Sequence, residues 1–290
     1  MDYNNFETDN SLKQIGVSQM SSKEAMGLII SRAQQLVNKL IETRKHDKPP
    51  FLPQEYFHLV NIKHIEKTDL GSTSGLLLKL ADGYLVKVND KQYDVRQNFS
   101  CAHEIGHILF DDLELDNYVS NIEYRRFDIS KTSAMRMKAK ETLCDAVAAE
   151  LLMPELIFRK YLDIFPLSIT TIEHMASVFR VSIQSAARRI VEVSVNPCIV
   201  TIWLPSPKYK PKGLRGVEIP NIRTNYILSS KFAALHSSLY KAYENDVIVK
   251  TRKVFYSGTN KVRLPIEAKG FGRGESRFLI SLAFPRSLSE

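Results

Sequence analysis

Arg96-Gln97-Asn98-Phe99-Ser100-Cys101-Ala102-His103-Glu104-Ile105-Gly106-His107-Ile108-Leu109-Phe110 decides how the rest of the chain is read. Phe99, Ala102, Ile105, Ile108 and Leu109 predict a mostly apolar, buried helix. On that helix His103 and His107 stand at i and i+4, on one face, with Cβ atoms about 5–6 Å apart. Two imidazoles so placed can grip one metal ion at about 2.0–2.1 Å. Glu104, beside the first histidine, can reach a water on that ion without binding the ion itself. Burying two imidazoles without partners is unfavourable, and ligation satisfies them. Gly106 costs about 1 kcal/mol relative to Ala inside a helix, which is tolerable where another element must approach closely.

A tetrahedral catalytic zinc needs a third protein ligand. A longer His-Glu-x-x-His-x-x-Gly-x-x-His pattern is excluded, because Phe110 and Leu113 occupy the required Gly and His positions. Downstream, Glu141-Thr142-Leu143-Cys144-Asp145-Ala146-Val147-Ala148-Ala149-Glu150-Leu151-Leu152-Met153-Pro154 reads as a second helix stopped by Pro154. Glu141 and Asp145 are i and i+4 on it. Glu141 can complete the metal shell, and Asp145 can accept the other ring N–H of a ligand histidine, fixing its tautomer. Asp111 and Asp112 are the competing carboxylates. Cys101 and Cys144 neighbour these residues, and buried inert thiols are the expectation for both.

Together the two motifs resemble the ImmA/IrrE family of intracellular zinc metallopeptidases, on residues 96–107 and on Glu141-x-x-Cys144-Asp145-x-x-Ala148-Ala149-Glu150-Leu151-Leu152-Met153-Pro154. The resemblance covers about residues 25–195. Asp145 and Val147 stand where Asn and Phe are frequent in that family, and Cys101 where Thr is usual. The resemblance implies a gluzincin-like core with His103, His107 and Glu141 holding Zn2+ and Glu104 as catalytic base. It also implies a substrate class, helix-turn-helix transcriptional repressors cut in stress response or mobile-element control. The chemistry expected is hydrolysis, with Glu104 taking a proton from the attacking water and returning it to the departing amine. Tyr118, Tyr124, Arg125 and Arg126 are candidate donors to the oxyanion. Zinc follows from the ligand types, although other divalent ions suit nitrogen and oxygen donors.

Three cysteines without framework spacing fit a reducing cytoplasm. No 18-residue apolar run and no apolar N-terminal segment is present, so a cytoplasmic protein without a membrane span is expected. The net charge of +8 is unevenly placed. Residues 201–290 carry 16 Lys and Arg against 6 Asp and Glu, whereas residues 1–200 carry 24 against 26. That asymmetry suggests a basic C-terminal domain with a nucleic-acid or acidic partner. The alternative function is therefore a nucleic-acid-binding regulator whose metal site is structural.

The predicted architecture is α+β. Residues 1–21 read as a disordered N-terminus and 22–165 as the zinc-peptidase domain, mainly helical with a small β-sheet. Residues 166–195 read as a helix-turn-helix-like segment and 196–290 as a β-rich α+β C-terminal domain. An amphipathic helix is expected over 22–45, and strands over 59–65, Gly75–Leu80 and Gly83–Val88, the last two turning at Asp82-Gly83. The edge of that sheet could hold an extended substrate. Ser182 is the predicted cap of the second helix of the helix-turn-helix-like pair. Gln184, Ser185, Arg188 and Arg189 would be its base-contacting side chains, although packing is the favoured role for the pair. His174 reads as a surface residue. Farther on, Ile199–Leu204, Val247–Tyr256, Lys261–Ala268 and Arg277–Phe284 read as strands and Lys231–Asn245 as a helix. A Pro/Lys/Gly loop is expected through Gly216. Gly270, Gly272 and Gly274 lack dinucleotide-site spacing and read as a hairpin loop.

Overall fold

In the computed structural model the described residues are 21–115, 129–206, 213–221 and 224–284. The expectation for residues 1–20 and the oxyanion candidates Tyr118, Tyr124, Arg125 and Arg126 lie outside them. The chain divides into two compact units, Met1–Pro154 and Glu155–Glu290. The division falls after Pro154 rather than after residue 165, and the helix-turn-helix-like segment shares a unit with the basic C-terminal region. The fold is α+β, with strand concentrated in the second unit.

In the first unit, α1 (Ser22–Arg44) starts at a capping box in which Ser21 and Glu24 satisfy each other's backbone N–H groups. Its Ala25, Ile29, Ala33, Leu36 and Leu40 are buried at helical spacing. A 3-10 helix, Pro53–Leu59, is tied to the end of α1 by an Arg44–Glu55 ion pair. The sheet consists of β1 (Ile62–Thr68), β2 (Gly75–Leu80) and β3 (Gly83–Asn89) in the order β1-β3-β2. β1 runs parallel to β3, and β2 pairs antiparallel with β3 through the expected hairpin. The first strand begins three residues later than the apolar run suggests, because residues 53–59 are helical. At Gly83 (φ +154) a Cβ would stand 2.4 Å from the Asn61 carbonyl oxygen, so no side chain fits the hairpin's exit.

Behind this sheet run α2 (Asp94–Asp112) and α3 (Ile129–Leu152). They pack face to face at Gly106, where a Cβ would come within 2.7 Å of Cys144 Cα. The close approach expected of that glycine is thus to α3. Buried Tyr56 donates its hydroxyl hydrogen to the Leu151 carbonyl at 2.8 Å, supplying a partner at the carbonyl-rich end of α3.

The second unit opens with α4 (Glu155–Leu162), α5 (Ile169–Phe179) and α6 (Ile183–Val193). Arg180 makes the α5–α6 turn at φ 51, where Gly is the easier residue. Ser182 caps α6, accepting from the Ser185 amide at 3.0 Å as the sequence predicts. A seven-stranded antiparallel sheet follows, built from β4 (Ile199–Pro205), β5 (Gly213–Pro220), β6 (Tyr226–Leu228), β7 (Phe232–Ala234), β8 (Val249–Ser257), β9 (Asn260–Phe271) and β10 (Phe278–Ala283). Its order is β6-β8-β9-β10-β4-β5-β7. A short helix, α7 (Ser238–Asn245), packs on the face carrying Trp203, Leu264, Ile266 and Leu279. On the opposite face α5 is held by the Ile169 amide to Glu267 at 3.0 Å and by a Lys269–Glu173 pair at 2.6 Å.

Two expectations for this unit are corrected. Of the loop expected through Gly216, residues 207–212 lie outside the described residues, and Gly213–Gly216 belong to β5, paired along β4 from Leu214–Pro205 to Pro220–Ile199. Gly216 admits the Trp203 ring, whose Cε3 would lie 3.0 Å from a Cβ there. The helix expected over Lys231–Asn245 forms only from Ser238, because Ser237 caps it and Phe232–Ala234 pairs with β5 instead. Tertiary pairing overrides local helix preference in that stretch.

Candidate metal centre

α2 presents His103 and His107 on the side facing α3, with ring centroids 5.0 Å apart. Both rings are mostly buried, whereas Glu141 and Asp145 across from them are about half exposed. Glu141 meets both imidazoles: Oε2 lies 3.0 Å from His103 Nε2, and Oε1 lies 3.8 Å from His107 Nε2. Asp145 Oδ1 lies 2.9 Å from His103 Nδ1. The i, i+4 pairs of two helices thus interlock, one carboxylate at the inner nitrogens and the other behind a ring.

The residues present fit a divalent ion. Two donors at about 2.0–2.1 Å from a tetrahedral centre stand roughly 3.3 Å apart, and the 3.0 and 3.8 Å separations bracket that span. Two neutral imidazoles and one carboxylate suit zinc and leave room for a further ligand. Cys144 is also near, since one donor atom each from His103, His107 and Cys144 lie within 4.8 Å of one another. Its Sγ, however, faces His107 Nδ1 at 3.5 Å, the nitrogen opposite the one that faces Glu141. The carboxylate is therefore the better third ligand. The competing acids are engaged elsewhere: Asp111 pairs with Lys140 at 3.0 Å, and Asp112 is raised by burial, with Arg32 opposing.

Glu104 lies against β2 and is only 7% exposed. The Leu77 backbone N–H donates to its carboxylate. At Gly75 a Cβ would stand 2.7 Å from Glu104 Oε1, so only glycine leaves the carboxylate its place. Burial pushes Glu104 up to about 7; His103 opposes this, the charge of Glu141 adds to it, and the Leu77 amide opposes it. A carboxylate so poised can both take and return a proton near neutral pH. Burial pulls both histidines down, but for His103 the Asp145 hydrogen bond and the surrounding carboxylates prevail and leave it raised. His107 stays lowered by burial and by the charge of His103.

The sequence-derived residues His103, Glu104, His107, Glu141 and Asp145 thus converge within one helix–helix–strand junction. Gly75 and Leu77 escaped sequence reasoning. The hairpin was legible, but nothing in its pattern indicated which backbone groups would meet Glu104. The thiols Cys101, Cys144 and Cys198 are free and buried, and burial pushes Cys101 up to about 12. His174 meets Phe165 edge-on, ring centroids 4.7 Å apart, in the second unit.

Residues 62–191 match the IrrE N-terminal-like domain of Peptidase_M78. A curated relative, the radiation response metalloprotease IrrE of Deinococcus radiodurans, is 30% identical over 123 residues. That match covers 42% of this chain and 35% of the relative, so the chain spans about a third of the relative's length. Among solved structures, a Mycobacterium tuberculosis transcriptional regulator superposes with a TM-score of 0.57 at 13% identity, over 91% of this chain and 94% of that one. This likeness is one of fold.

Proposed function

We propose that this chain, whose residues 62–191 match the IrrE N-terminal-like domain, is a member of the ImmA/IrrE family and a zinc-dependent endopeptidase acting on a regulatory protein. The observation carrying this reading is buried Glu104 beside a three-donor centre, held by the Leu77 amide. A purely structural metal site has no need of such a base. His103, His107 and Glu141 would hold the ion, and when bound it would acidify water and polarise the scissile carbonyl. Glu104 accepts the proton of the attacking water and carries it to the leaving amine. Asp145 keeps the Nδ1 proton on His103 and so leaves Nε2 free to ligate.

Substrate presentation falls to β2. It is an edge strand of its sheet, paired there with β3, and it carries the amide that touches Glu104. An extended segment laid along that edge would bring its peptide bonds to the metal side of Glu104. Such binding demands an unfolded or excised stretch of target, which suits selective cleavage of a helix-turn-helix repressor in stress response or mobile-element control. Free, buried cysteines support a reducing cytoplasm as the setting. Among the described residues no helix is long and apolar enough to cross a membrane. The substrate test is to incubate the zinc-loaded chain with the repressor encoded nearest its gene and sequence any new N-terminus. A single new terminus is expected; an intact repressor beside cleavage of unrelated proteins would refute the assignment.

A second reading, nucleic-acid binding, has one specific observation in its favour. Arg252 and Tyr256 of β8 share a sheet face with Lys261 and Arg263 of β9, the face on which α5 meets Glu267 and Lys269, and all four are exposed. This basic-aromatic face suits a polyanion. The α6 helix suits one less well, because Arg189 is buried and paired with Glu192 at 3.1 Å, leaving Arg188 as its exposed cation.

A further inference from the structure

Asp145 accounts for the outer nitrogen of His103, but the outer nitrogen of His107 also needs a partner. An imidazole that ligates through Nε2 must keep its proton on Nδ1, and that tautomer is set by what Nδ1–H meets. Beside His107 Nδ1 stands Cys144 Sγ at 3.5 Å. The distance suits an N–H to sulfur hydrogen bond, whose acceptor is larger and softer than oxygen. Cys144 is fully buried, and its backbone forms the surface on which Gly106 rests, so the sulfur has little freedom to move. It also precedes Asp145, so consecutive residues of α3 serve consecutive turns of α2.

We propose that Cys144 is a positioning residue of the metal centre: its neutral thiol accepts a hydrogen bond from the Nδ1–H of His107 and holds that ring with Nε2 toward Glu141. The inference rests on His107 and Glu141 being ligands, but not on what the chain cleaves. It assigns the two rings different supports, a carboxylate behind His103 and a thiol behind His107. His107 is thereby a less basic ligand than His103, since a thiol withdraws the ring proton less than a carboxylate does. The sulfur stays outside the coordination shell. As a ligand it would share the ion with His107 Nδ1 rather than with the Nε2 that faces Glu141.

The full chain tests this with cobalt, zinc and two variants. Cobalt-loaded wild type should show no thiolate-to-cobalt charge-transfer band in the near ultraviolet; such a band would overturn the proposal by making Cys144 a ligand. In the zinc-loaded wild type, long-range proton–nitrogen correlation should find His107 protonated at Nδ1, with that proton slow to exchange. Cys144→Ala should expose the proton to exchange and weaken zinc binding about tenfold in chelator competition, the low end for a lost outer partner. Cys144→Ser, which restores an acceptor, should stay within about threefold of wild type. Equal zinc affinity in the Ala variant, or equal losses in both variants, would contradict the assignment. A packing defect alone would lower the metal-free melting temperature without changing the Nδ1 proton signal. If Cys144 behaves as expected while the wild type cleaves nothing, the positioning role stands and the peptidase reading fails.

Discussion

Glu104 is the proposed base, and the surroundings that suit it to that role leave a trace in stability. In the metal-free chain its carboxyl is raised from the ordinary 4.5 to about 7, burial being the first cause. The folded state therefore binds this proton more tightly than the unfolded state does. The resulting stabilisation is complete below a pH of about 4.5 and is lost as pH rises through about 7, at most about 3 kcal/mol by linkage. Glu104→Gln removes the titration while keeping an acceptor for the Leu77 amide. With chelator present, the variant should gain stability over wild type on going from about pH 5 to about pH 8, as read by urea unfolding. A gap that stays constant with pH would show that the carboxylate is not desolvated. Gly75 offers a second test at the same scale. Gly75→Ala places a methyl 2.7 Å from Glu104 Oε1, and the expected outcome is a kcat loss of about tenfold or more with little change in zinc affinity.

At the scale of elements, the site is made by the crossing of α2 and α3. Gly106→Ala would drive a Cβ to 2.7 Å from Cys144 Cα and 3.0 Å from its carbonyl oxygen. Backbone cannot yield as a side-chain tip can, so the helices must part, at a cost of about 1–3 kcal/mol. Zinc affinity should fall with stability, because parting the helices separates Glu141 from both histidines; equilibrium unfolding and chelator competition read the two effects. Tyr56→Phe probes the other end of α3, where the lost bond to the Leu151 carbonyl should cost about 1–2 kcal/mol without touching the metal donors. This is also the scale at which the sequence was most readable. His103, His107, Glu141 and Asp145 lie at i, i+4 spacings on helices whose apolar faces are plain, so their convergence needed only that the two helices pack. Gly106 even marked the crossing point. Cys144 behind His107, and Gly75 and Leu77 beside Glu104, depend on helix rotation and strand register, which spacing does not encode. The β5 strand was hidden for a related reason, since its Gly and Pro content reads as loop until Trp203 is there to fill the space above Gly216.

For the whole molecule, the two compact units divide the metal from the charge. All the proposed metal donors belong to the unit ending at Pro154, whereas the excess of Lys and Arg lies beyond residue 200. Zinc held by those donors would stabilise the folded state of the first unit alone, so calorimetry should show one transition that moves up with zinc and one that does not. A single transition shifted as a whole would indicate that the units unfold together. Replacing Arg252, Lys261 and Arg263 with Gln should weaken any DNA retention by the full chain and flatten its salt dependence, leaving zinc affinity intact. The account as a whole turns on whether the centre in the first unit hydrolyses peptide bonds through Glu104. The most direct measurement is the cleavage rate of the repressor encoded nearest the gene, by wild type and Glu104→Gln at equal, verified zinc occupancy. The account predicts cleavage by wild type and a loss of about 10²–10⁴-fold in the variant. Equal rates, or no cleavage by the zinc-loaded wild type, would contradict it.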